Sequence, residues 1–276
     1  MKKMQFSVSM CVYGKDNPEH FQQALQSVFN QTLPPDEVVL VIDGPIPSTT
    51  ESVIKLFEVQ NNLNVIKLHK NVGHGNARKI GLENCTYPYV AIMDADDISV
   101  PERFEKQIAC FAKDDQLSIV GGFAKNFVGD IGNIVSIHTR PTEDVDIKIF
   151  MRKRCPFSQV TVMFKKNDVI NAGGYIDWFC AEDYYLWIRM YQKGFKFKNI
   201  PECLVYVRCG EDQYRRRGGW RYFKSEARLQ GYMLRYKIIG FSLYLYNVGI
   251  RFVVQVLLPN RIRGYVYKTF ARKAVE

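Results

Sequence analysis

The chain predicts an α/β fold built on a parallel sheet with helices over both faces. Two observations carry this. Short apolar runs of strand length alternate four times with segments of helical pattern, and the connections between them are short. That alternation is the mark of right-handed βαβ crossovers. The 276 residues, 47% apolar and 24% charged, fit one large domain or one domain with an appendage. They exclude wholesale disorder, collagen and coiled coil.

Taken in order, Phe6 to Val12 reads as a buried strand. Asn17-Pro18 reads as an N-cap and first position of a helix whose one face carries Phe21, Leu25, Val28 and Phe29. Glu37 to Ile42 is a second strand, ending in Asp43-Gly44-Pro45. A helix around Thr50 to Val59 and a strand from Leu63 to Leu68 follow. The turn Asn71-Val72-Gly73-His74-Gly75 opens a helix from about Asn76 to Asn84. Tyr89 to Met93 is the next strand and runs into Asp94-Ala95-Asp96-Asp97, after which Pro101 starts a helix. Beyond Leu117, strands are expected at Ser118–Phe127, Asn133–Ile137, Thr161–Phe164, Phe195–Ile200 and Cys203–Arg208, with an aromatic-rich helix at Glu182–Gln192.

Charge divides the chain. Basic and acidic side chains balance through Gly210, so the whole net charge of +10 lies beyond it. This sets a boundary between residues 1–210 and a basic tail, 211–276. A cationic tail on a neutral body points to an anionic surface, lipid or nucleic acid. Ile238 to Leu258 holds 21 residues with one charge, Arg251. That length could span a bilayer, but Arg251, Asn247 and Gln255 favour an amphipathic segment lying on the membrane. The alternative is that these helices simply pack on the body. The seven cysteines have no metal-ligand spacing and are expected to be reduced, mostly buried thiols of a cytosolic protein. No signal-peptide pattern is seen at the N-terminus.

Four clusters could carry chemistry. Asp94, Asp96 and Asp97 follow a strand, at the sheet edge where ligands bind in such folds. Three carboxylates so close repel unless a cation sits among them, and a diphosphate can complete that cation's shell. An Asp-rich turn capping the next helix is the bland alternative. Tyr13, Asp43 and Arg78 share the same predicted edge. A ring can stack on a base, a carboxylate can accept an imide N–H, and an arginine can hold a phosphate or shape the base pocket. Glu182-Asp183 opens a helix, either as dipole compensation or as the home of a general base. Gln213-Tyr214-Arg215-Arg216-Arg217-Gly218-Gly219-Trp220 could form a flexible basic loop over a diphosphate, or a patch for nucleic acid or membrane.

Together these residues resemble the family 2 inverting glycosyltransferases of the GT-A fold. Val8 to Tyr13 looks like the family's opening strand, and Ser27 to Thr32 like its first helix end. Val41-Ile42-Asp43-Gly44 matches its second strand end. Asn71-Val72-Gly73 and Ala77-Arg78 match the segment before the DxD, with Lys79 where Asn is common. Asp94-Ala95-Asp96-Asp97 corresponds to the DxD and Glu182-Asp183 to the ED motif; Gln213 to Trp220 resembles the QxxRW-like loop.

The resemblance implies a Rossmann-like, nucleotide-diphospho-sugar transferase mixed sheet flanked by helices, residues 1–210, with a basic amphipathic helical tail, 211–276. Within the family it resembles the bacterial glycosyltransferases of surface-polysaccharide assembly, which include the amylovoran and O-antigen β-1,3-galactosyl- and glucosyltransferases. It therefore implies inverting transfer of galactose or glucose from a UDP-sugar, with Mn²⁺ or Mg²⁺, to the 3-hydroxyl of an N-acetylhexosamine on diphosphoundecaprenol. By the same resemblance Asp183 is the base, Asp96 the metal ligand, and Tyr13, Asp43, Arg78 and Asp94 bind the nucleotide. Glu182, Arg217 and Trp220 contact acceptor or diphosphate. The expected partners are the donor, the lipid-linked acceptor and an anionic membrane surface, not nucleic acid. The expected place is the cytoplasmic face of the bacterial inner membrane, peripherally bound. A sugar nucleotidyltransferase, or a non-catalytic basic protein binding membrane or nucleic acid, is the competing reading.

Overall fold

The computed structural model describes residues 4–60, 62–210 and 218–259. The first half runs β1 (Phe6–Val12), α1 (Pro18–Phe29), β2 (Glu37–Ile42), α2 (Ser48–Phe57), β3 (Leu63–Lys67), α3 (His74–Asn84) and β4 (Tyr89–Asp94). Then come β5 (Ile98–Ser99), α4 (Arg103–Lys113), β6 (Leu117–Phe127), β7 (Ile134–His138) and α5 (Asp144–Met151). A 3₁₀ turn (Gln159–Thr161) leads to β8 (Met163–Lys165), α6 (Lys166–Asn171), α7 (Glu182–Gln192) and β9 (Lys196–Arg208). Two helices, α8 (Trp220–Arg235) and α9 (Phe241–Phe252), and a π-helical turn (Val253–Leu257) follow.

β1 to β4 form the expected parallel sheet, in order β3-β2-β1-β4. The full nine-stranded sheet is mixed, because β8 enters antiparallel to both β4 and β6. β6 then pairs in parallel with β9, β5 lies on the far side of β9, and β7 forms a hairpin with β6.

Alternation along the strands separates two cores. Phe6, Val8, Met10 and Val12 of β1 face α1, α2 and α4, where they meet Phe21, Leu25, Val53 and Phe104. Ile92 of β4 faces the opposite layer, which holds Leu82, Val169, Trp187 and Leu229 from α3, α6, α7 and α8. Each large apolar side chain so buried contributes about 1.5–3 kcal/mol. On that second face Gly81 lets α3 approach β1, since a Cβ there would lie 2.4 Å from Ser9 Oγ.

Three sequence expectations change. Phe195–Ile200 and Cys203–Arg208 are one strand, not two: the ladder to β6 steps from Gly122↔Ile200 to Phe123↔Cys203. Pro201 and Glu202 bulge outward there, as a proline without an N–H requires. The strand foreseen at Thr161 begins only at Met163, because Thr161 Oγ1 donates to Ser158 O at 2.7 Å and holds a turn. The cysteines are all free, but Cys85 and Cys209 are the buried ones and Cys180 is exposed. Among the described residues, no helix is long and apolar enough to cross a membrane.

Candidate active site

The carboxyl ends of β1, β2 and β4 lie side by side, with Val12 opposite Ile42 and Cys11 opposite Asp94. Asp43 is buried just past β2. Its Oδ1 accepts the Val72 N–H at 2.7 Å, and Asn71 Nδ2 donates to its carbonyl at 3.2 Å. Gly44 makes this approach feasible. Its φ is +88°, and a Cβ would sit 2.6 Å from Asn71 N; only glycine satisfies both conditions. Tyr13, just past β1, is 39% exposed, and its N–H donates to Asp16 Oδ2 at 2.9 Å.

α3 starts at this edge and carries His74 and Arg78 one turn apart. Arg78 is 1% exposed. Its Nη2 donates to Asp94 Oδ1 and its Nε to His74 Nε2 at 3.1 Å, while Nη1 is buried without a partner. Because a guanidinium only donates, His74 Nε2 must accept, which leaves the imidazole proton on Nδ1. That atom meets Glu182 Oε1 at 2.7 Å. A continuous hydrogen-bonded path, Asp94–Arg78–His74–Glu182, thus joins the end of β4 to the start of α7. Burial alone raises the Glu182 carboxyl, but the bond from His74 and the cationic charge behind it hold the group below its ordinary range.

Asp94, Asp96 and Asp97 bring their carboxylate oxygens within 4.8 Å of one another. Asp97 accepts the Arg208 N–H at 2.8 Å, and Arg208 Nε donates to Asp96 O at 3.1 Å. Burial, then the charges of Asp96 and Asp94, push Asp97 well above the usual carboxylate range. Burial and the same two neighbours push Asp16 up to about 6. Carboxylates held this close, all hard oxygen donors, fit a divalent cation such as Mg²⁺ or Mn²⁺.

A cleft of about 470 Å³ opens beside them. Asp94 and Asp97 line it together with Asp183, Arg140, Tyr222 and Glu226. Asp183 stands in the first turn of α7, with Cys155 Sγ 3.7 Å from its Oδ2. Burial first, and then the charge of Glu182, push its carboxyl up to about 6. A carboxylate so tuned is ionised at neutral pH and readier than an ordinary aspartate to take a proton.

Of the residues singled out from sequence, Asp43, Arg78, Asp94, Asp96, Glu182 and Asp183 come together around this edge and cleft, with Tyr13 on the same edge. Trp220 opens α8, is 57% exposed, and packs on Phe223 and Phe252 with ring centroids 5.7 and 5.8 Å apart. It is not among the residues lining the cleft. Arg217 lies outside the described residues. Sequence reasoning missed Asp16, His74, Cys155 and Arg208. Asp16 and His74 had a signal, since Asp16 sits in the turn after β1 and His74 opens α3 after β3, both at the ligand edge. Cys155 and Arg208 had none, for they arrive from distant segments.

The mixed sheet, with the acidic turn after β4 and the carboxylate on α7, is similar to the GT-A fold of solved glycosyltransferases. The chain belongs to glycosyl transferase family 2, whose family model matches residues 7–175. It is 37% identical to the amylovoran biosynthesis glycosyltransferase of Erwinia amylovora, over 95% of this chain and 98% of that one. It is 34% identical to the Escherichia coli UDP-Gal:α-D-GlcNAc-diphosphoundecaprenol β-1,3-galactosyltransferase, over 97% of both chains. Among solved structures, Staphylococcus aureus TarS residues 1–349 with UDP-GlcNAc superposes with a TM-score of 0.67 at 17% identity, covering 91% of this chain and 73% of that one. A Pyrobaculum calidifontis mannosyltransferase with GDP-Man and Mn²⁺ gives 0.63 at 15%, covering 94% and 71%.

Proposed function

We propose that this family 2 enzyme transfers galactose or glucose, with inversion, from a UDP-sugar to the 3-hydroxyl of an N-acetylhexosamine on diphosphoundecaprenol, in bacterial surface-polysaccharide assembly. The observation that carries the reading is Asp183, a carboxylate pushed up to about 6 in the same cleft as Asp94 and Asp97. The likeness to the galactosyltransferase over nearly the full length of both chains supports the substrate class.

Asp183 takes the proton of the acceptor hydroxyl as that oxygen attacks the anomeric carbon. The bond from that carbon to the diphosphate oxygen breaks, and UDP departs from the opposite face. Asp43 accepts the uracil imide N–H, and the Tyr13 ring stacks on the base. The unpartnered Arg78 Nη1 points to a ligand oxygen as its missing acceptor. Asp96 would be the principal ligand of a Mn²⁺ or Mg²⁺ ion, with Asp94, held by Arg78, at the ribose or the ion's water shell. Such an ion, when bound, offsets the charge growing on the leaving diphosphate. Glu182 and Arg217 act on the acceptor or the diphosphate. Residues 1–210 supply the nucleotide site and the base, α8 adds Tyr222 and Glu226 to the wall of the cleft, and the tail brings the enzyme to the cytoplasmic face of the inner membrane.

A panel of UDP-sugars with a synthetic GlcNAc-diphosphate-lipid tests this. UDP should be released with one hexose and a β-1,3 product formed. Asp183→Asn should lose about 10²–10⁴-fold in turnover while UDP-sugar binding persists. Release of pyrophosphate from a nucleoside triphosphate would instead identify a nucleotidyltransferase.

A further inference from the structure

α9 turns polar side chains toward the body, beside Leu243 and Tyr244, which pack on the second core. Its inward spine is polar: Asn247, Arg251 and, one turn into the π-helical segment, Gln255. Asn247 Nδ2 donates to Arg152 O at 2.9 Å and to Gln230 Oε1 at 2.8 Å. Arg251 pairs with Glu226 of α8, and its Nη2 donates to Lys153 O at 2.9 Å. The outward stripe is apolar. Phe241, Leu245, Tyr246, Ile250, Val253 and Leu257 are each between 46% and 64% exposed. They recur at helical spacing along one side, so they form a single band rather than scattered contacts.

A helix folding only onto its own domain places those side chains inward. A contiguous exposed apolar band marks a partner surface. The charge around it selects the partner. From Ala227 through Pro259 the sequence contains no Asp or Glu. Arg235 and Lys237 are exposed in the turn leading into Phe241, and Lys224 is exposed on α8. An apolar band with interfacial aromatics and a cationic rim matches anionic lipid. A second copy of the same cationic surface offers it no complementary charge.

We infer that the outward face of α9 seats the protein in an anionic membrane, immersed through Phe241, Leu245, Tyr246, Ile250, Val253 and Leu257. The proposal deepens the reading given above and rests on it for the lipid nature of the acceptor. It also ties seating to the cleft. Glu226 anchors Arg251 from α8 and, with Tyr222, lines the cleft. The element that holds the immersed helix is therefore itself a wall of the acceptor's cavity.

The test is flotation of the full chain with vesicles of phosphatidylethanolamine and phosphatidylglycerol, and with phosphatidylcholine alone. Wild type should float with the anionic vesicles and less with the neutral ones. The double variant Leu245→Glu/Ile250→Glu should lower the bound fraction by about tenfold or more. Its transfer to a long-chain lipid acceptor should fall in parallel, with transfer to a water-soluble short-chain acceptor unchanged. If the glutamates impair folding, Leu245→Ser/Ile250→Ser gives the same ordering with a smaller drop. Wild type that ignores anionic vesicles at low salt overturns the proposal. So does a folded double variant that floats like wild type. So does a double variant that only dissociates a dimer, which would make the band a self-association face. Absence of transfer to every acceptor by wild type would count against the catalytic reading and leave the flotation result standing.

Discussion

At the β1–β2–β4 edge, apolar side chains fill both faces of the sheet, and the polar ones collect where the strands stop. In α9 much of that order is reversed: Asn247 and Arg251 face the body beside Leu243 and Tyr244, and Phe241, Leu245 and Ile250 face out. Both regions bury polar groups, but with different consequences. Asn247 and Arg251 of the α9 spine bond to the carbonyls of Arg152 and Lys153, to Gln230 and to Glu226, so their polar atoms fasten one element to another. In the cleft the carboxylates crowd one another, and Asp97, Asp16 and Asp183 are all raised by burial and by neighbouring charge. Polar groups that hold structure are paired within the chain. Polar groups that await a ligand are held at a cost in stability.

The largest effect expected from breaking this contrast is on chemistry. Asp96→Ala should abolish metal-dependent turnover, by roughly 10²-fold or more, and leave the melting temperature near that of wild type. Turnover unchanged at low Mn²⁺ would show that Asp96 is not the ligand.

The next effect is on pH dependence. Burial and the charge of Glu182 push the Asp183 carboxyl up to about 6, so kcat/KM should fall about tenfold per pH unit below that point. The same shift bears on stability with a definite sign. The native state holds the proton more tightly than the unfolded chain does. The penalty is therefore absent below about pH 4, develops between 4 and 6, and is complete above 6. Asp183→Asn should stabilise the ligand-free protein by about 2–3 kcal/mol at pH 7 and by little at pH 4. Denaturant melts at both pH values check this. Equal changes at the two would assign the effect to something other than the charge.

The smallest effect sharpens the contrast from the other side. Asn247→Ala removes donors to Arg152 O and Gln230 Oε1. It should destabilise by about 1–3 kcal/mol, with transfer to a short-chain acceptor unchanged. A substitution in the spine that stabilised the protein would mean that the polar bonds there hold nothing.

The sequence by itself determined the alternating strands and helices from Phe6 to Lys113, because buried strands and amphipathic helices have distinct apolar periods. It also determined that Asp43, Asp94 and Arg78 belong to one edge, since in a parallel sheet the ends of successive strands meet at a single rim. The match of Glu182-Asp183 to a family motif marked that pair, although local pattern alone left helix capping as an equal account. Tertiary structure decided what depends on distant segments meeting. The antiparallel entry of β8, the continuity of β9 past Pro201, and the Arg78–His74–Glu182 path each join residues far apart in sequence or choose among partners of equal local merit. The direction α9 faces is of the same kind. Its periodicity shows a polar and an apolar side, but which side turns inward is fixed by Glu226, Gln230 and the carbonyls of Arg152 and Lys153, groups that only the folded chain brings together.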